Sequence, residues 1–110
     1  MILDTHVNLV GLHPAMALIA LCVDSAFKEN GHEARVSNGG AVRKSDRPGR
    51  KTRSLHPLGC ALDFGLAHVP RAEWDGIANS VKERVRAVTV DVVYEPDAVG
   101  GGHLHVELDP

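Results

Sequence analysis

A chain of 110 residues with 12 Lys and Arg against 14 Asp and Glu has a formal net charge of −2. That balance gives it no global drive towards nucleic acid or an acidic membrane. The length suits one domain, residues 1–110, with a single core, and 44% apolar and 24% charged residues are ordinary for a globular chain. Trp74 is the only Trp and aromatic content is 4%, which argues against a stacking platform for bases or sugars.

Two cysteines, Cys22 and Cys60, are too few for a disulfide framework. Cys22 falls in an apolar helical pattern and is expected in the core. The sequence does not open on a basic segment, an apolar stretch and a cleavage site, so no secretory signal is expected and a cytoplasmic location follows. The longest apolar run, Ala15 to Val23, is well short of the ~20 residues of a membrane span, so none is expected.

Residues 1–12 form a lead-in, a short strand or a turn, in which His6 has a surface or capping role, as has His13 just beyond it. Pro14 suits the first position of a helix. Met16, Ile19, Ala20, Val23 and Phe27 then follow helical spacing, and Gly31 can close the helix. Leu18 and Leu21 are apolar too, so this helix is expected to be buried on more than one side. Glu33 to Ser37 is a short strand candidate broken by Asn38-Gly39-Gly40. A loop follows to about Thr52, with Arg43, Lys44, Arg47, Arg50 and Lys51 in it and Arg53 just after. Two readings stay open: a solvated loop, or one whose arginine binds a substrate carboxylate through its planar fork. Nucleic-acid binding would need a basic face wider than one loop, so no nucleic-acid partner is expected.

His56 precedes Pro57 and Gly59, a turn signal, and GCALDFG is an apolar run that can enter a sheet. His68 is read as satisfied or exposed. Pro70 opens a second helix whose stripe is Trp74, Ile77, Ala78, Val81 and Val85. In Val88 to Glu95, Val88, Val90, Val92 and Tyr94 alternate with Thr89, Asp91, Val93 and Glu95. The glycine-rich segment from Pro96 to Gly102 leads into a strand from His103 to Leu108, which predicts an antiparallel hairpin with Glu95 near His103. Glu107 and Asp109 are read as surface charges. The expected fold is α+β, a small antiparallel sheet with two main helices.

His56, Asp63, His103 and His105 are good ligands for a divalent ion, zinc above all. His103 and His105 are two apart in an alternating run, so on a strand both imidazoles share a face. Zinc with three imidazole and carboxylate ligands keeps a fourth position for water, the catalytic arrangement.

Ser54-x-His56-x-x-Gly59-x-Ala61-x-Asp63 resembles the S-x-H-x-x-G-x-A-x-D signature of the M15 peptidases. These are the zinc D-Ala-D-Ala carboxypeptidases and the L-alanyl-D-glutamate endopeptidases, and hedgehog signalling domains share their scaffold. The C-terminal His103-x-His105 resembles the second half of the signature. The resemblance implies a hedgehog/DD-peptidase-like fold with zinc on His56, Asp63 and His105. His103 would act on the scissile carbonyl or the tetrahedral intermediate, the other reading being a third histidine ligand; Ser54 would hydrogen-bond a ligand, and Arg43 would bind a substrate carboxylate. It implies Glu95 as the base. Many members instead place the acid three residues before the last ligand, where this chain has Gly102, which leaves Asp97 as second choice. Cys60 stands at a variable position and is read as packing, although thiols suit zinc. The expected activity is hydrolysis of peptidoglycan stem peptides by a monomer, compatible with a phage lysis or virion enzyme. The alternative is an inactive zinc-bearing binding module of the same fold.

Overall fold

The computed structural model describes residues 1–5, 7–39, 60–88, 90–98 and 101–108. Their order is β1 (Ile2–Leu3), α1 (Pro14–Glu29), β2 (Arg35–Gly39), β3 (Ala61–Gly65), a 3-10 turn (Arg71–Glu73) leading into α2 (Trp74–Arg84), β4 (Val90–Glu95) and β5 (His103–Leu108). The expected α+β class holds: one five-stranded sheet, ordered β1-β2-β3-β5-β4, carries both helices. All neighbours pair antiparallel except β1, which adds to β2 in parallel. Among the described residues no helix is long and apolar enough to cross a membrane.

α1 starts where His13 Nδ1 accepts the Ala15 N–H at 3.0 Å, with Pro14 next to it in the first turn, where its missing N–H costs nothing. It ends at Asn30, and Gly31 turns the chain away at φ 81°, a region that costs glycine little. Met16, Ile19, Ala20, Val23 and Phe27 are all buried, as the spacing predicts. Burial on further sides is not found: Leu18 is 67% and Leu21 57% exposed, and Cys22 is exposed rather than in the core. With helices on a single layer of sheet, α1 has only one stripe to pack.

β2 runs from Arg35 to Gly39, two residues later than predicted. The Ala34 N–H is taken by Asp24 Oδ1 at 3.0 Å, and Asn38-Gly39 does not break the strand; the register shifts between Val36 and Asn38 instead. Asp24 is a buried acid. Burial pushes its carboxyl up, and the Lys28 ammonium at 3.0 Å, the Ala34 N–H and the Met1 ammonium outweigh that and hold it below its ordinary value.

In α2, Trp74, Ile77, Ala78 and Val81 are buried, and so is Val85 at its C-cap. β4 begins at Val90; Val88, expected in line with it, lies in the turn after α2 and is 51% exposed. Val36, Leu62, Phe64, Leu104 and Val106 form the core with Met16, Val23, Phe27, Trp74, Ile77 and Val81. Strand alternation therefore turns Asp63, Gly65, His103, His105 and Glu107 to the opposite face of the sheet.

The hairpin is locked against α2 through Gly102. Its carbonyl accepts the Leu66 N–H at 2.9 Å, and a Cβ built on it would lie 2.9 Å from Trp74 Cε3 and closer still to Cζ3. The indole cannot yield easily, because its Nε1–H is bound to the Val69 carbonyl at 2.8 Å. Gly102→Ala is therefore expected to cost about 1–3 kcal/mol by overpacking, read as a lower melting temperature. An unchanged melting temperature would mean that Trp74 has room to move.

Candidate metal centre

Asp63 and His105 meet because their strands put them there. In the β3–β5 pair they are directly opposite, with Gly65 opposite His103 on one side and Ala61 opposite Glu107 on the other. Directly opposite residues have Cβ atoms about 4.5–5.5 Å apart, so two short polar side chains on the same face must touch. His105 Nδ1 lies 2.7 Å from Asp63 Oδ1, and Nε2 on the far edge of the ring lies 3.2 Å from Glu107 Oε2. Asp63 is buried, and His105 is 22% exposed at its side chain.

Two residue pairs further along β5, Glu95 of β4 is directly opposite His103, as the hairpin predicts. His103 Nε2 is 3.2 Å from Glu95 Oε1. The second candidate base, Asp97, lies elsewhere: its side chain is 90% exposed and faces the Arg71 guanidinium at 3.5 Å. Arg71 also donates to the Pro96 carbonyl at 3.3 Å and stacks over Trp74, 4.7 Å from the ring centroid.

Of the residues singled out in the sequence, Asp63, His105, His103 and Glu95 are thus brought to one face of the sheet as two carboxylate–imidazole pairs. His56, Ser54 and Arg43 lie outside the described residues. Glu107 is a correction: it is half-buried and bound to His105, not a solvated surface charge. The alternation that aligned His103 with His105 extends one step to Glu107, so the signal was present in the sequence. His68 is exposed and engages the Glu33 carbonyl at 2.7 Å, and Cys60 is half-buried next to β3.

Among the described residues no group of three His, Cys, Asp or Glu side chains is arranged to hold a metal ion. Asp63 and His105 fit as two ligands by chemistry and by contact. Tetrahedral zinc with bonds near 2.0 Å needs its donors about 3.3 Å apart. The pair at 2.7 Å would therefore have to open slightly to admit an ion. No protein-family model matches the chain, and no curated protein and no solved structure matches it.

Without a metal the pair has its own electrostatics. The Asp63 hydrogen bond raises the pKa of His105; burial opposes this, and the charges of Asp63 and Glu107 add to the rise. A raised folded-state value means that the folded chain binds the proton more tightly than the unfolded one. The resulting stability is fully present below the unfolded value near 6.5 and is lost as pH rises through the folded value. Denaturation of the metal-free protein is expected to show stability falling with pH across that window, with a shallower fall in His105→Gln. Equal slopes in both proteins would remove His105 as the cause.

Proposed function

We propose that this chain is a zinc peptidase of the M15 kind, cutting peptide bonds in peptidoglycan stem peptides. The observation that carries the reading is the contact of Asp63 with His105, facing each other across β3 and β5. These are the acid that ends the S-x-H-x-x-G-x-A-x-D pattern and the second histidine of the C-terminal pair. Two segments distant in sequence, each chosen for its ligands, supply side chains to one point.

In this reading His56, Asp63 and His105 hold the ion. Zinc there supplies Lewis acidity to an attacking water and to the scissile carbonyl. Glu95 accepts the proton that the water loses and returns it to the leaving amine. Its contact with His103 keeps the carboxylate beside the ring, and in this reading His103 acts on the scissile carbonyl or on the oxygen where negative charge develops. Arg43 binds the substrate carboxylate through its fork. The enzyme acts on the wall after release, as a phage lysis or virion enzyme would.

A second reading keeps the ion and drops hydrolysis, leaving a zinc-bearing module that binds a wall or protein partner. It is favoured by Gly102, which stands where many M15 peptidases have their acid.

Elemental analysis is expected to give about one zinc per chain, lost on replacing His56, Asp63 or His105, and a chelator is expected to lower the melting temperature. Purified peptidoglycan is expected to release new amino termini, with activity falling at least about 100-fold in Glu95→Gln. A chain free of zinc would sink both readings. Zinc without new amino termini would leave the binding module, and full activity in Glu95→Gln would remove Glu95 as the base.

A further inference from the structure

We infer that Glu107 is a positioning carboxylate for the zinc site, holding the His105 ring from the side away from the ion; this rests on the zinc reading above. A neutral imidazole carries one N–H and one lone pair, so its two nitrogens cannot play the same part. The ring of His105 lies between two carboxylates, with Nδ1 towards Asp63 and Nε2 towards Glu107. An ion shared by Asp63 and His105 would be held by the nitrogen on the Asp63 side, Nδ1. The proton is then on Nε2, where Glu107 accepts it. Such a carboxylate fixes the tautomer, stops the ring from rotating and makes the metal-binding nitrogen more basic.

A purely structural role fits Glu107 less well. In the β4–β5 register it lies directly opposite Asp91, and like charges across a strand pair oppose each other. Where His105 is neutral, neutralising Glu107 relieves that repulsion, so structure alone gives the charge little reason to be there. As a hydrogen-bond acceptor to a ligating ring, the charge has a purpose.

The test uses the full chain, zinc added as a simple salt, and competition against a coloured chelator. Glu107→Ala is expected to weaken zinc binding about 10–100-fold, with Glu107→Gln in between because its amide oxygen still accepts. The metal-free melting temperature of Glu107→Gln, taken at a pH where His105 is neutral, is expected to hold or rise. Nitrogen NMR of the zinc-loaded chain is expected to show the His105 proton on Nε2. Zinc affinities equal in all three proteins, or a proton on Nδ1, overturn the inference alone. A wild-type chain that takes up no zinc overturns it together with the reading beneath it.

Discussion

The pairing of β3 with β5 is the constraint on which the rest depends. Side chains alternate with a period of two along a strand, so a slip of one residue would send every side chain of β5 to the wrong face. Leu62 and Phe64 on one strand and Leu104 and Val106 on the other are essentially fully buried beneath the helices. Each is worth about 1.5–3 kcal/mol when removed from water, which fixes the register firmly. The polar residues between them have no choice of neighbour. Asp63 meets His105 because the apolar residues on either side of them belong to the core.

Hydrophobic periodicity was legible where one element decided its own environment. The two helical stripes, the β4–β5 hairpin and the shared face of His103 and His105 all follow from local spacing. What failed needed knowledge of the layers. Leu18, Leu21 and Cys22 extend the apolar pattern of α1, yet whether a second layer covers them cannot be read from the helix itself. Val88 obeys the alternation of β4, but the turn that follows α2 claims it first. Asn38 and Gly39 looked like breakers, yet β2 runs on through both, with its shift in register just before them, between Val36 and Asn38. Glu107 was misread for another reason: charge near the end of a strand suggested solvent, while the parity of its position pointed to the imidazole two residues before it.

The charge of the whole chain conceals this face. Asp63, Asp91, Glu95 and Glu107 lie on three adjoining strands with His103 and His105 among them. The Asp63 and Glu107 carboxylates on either side of one imidazole favour the protonated ring of His105. Asp63 and His105 set a carboxylate oxygen and an imidazole nitrogen side by side on this face.

The contact of Gly102 with Trp74 reaches beyond the stability of the turn. Arg71 lies on the same indole and grips Pro96, so both ends of the β4–β5 connection rest on a single aromatic ring at the start of α2. Glu95 and His103 are the strand residues at those ends. Strand pairing sets their spacing, and the ring braces the connection from the helical layer, on the side of the sheet away from the pair. A substitution at that ring would act at a distance, altering the gap between an acid and an imidazole that it never touches.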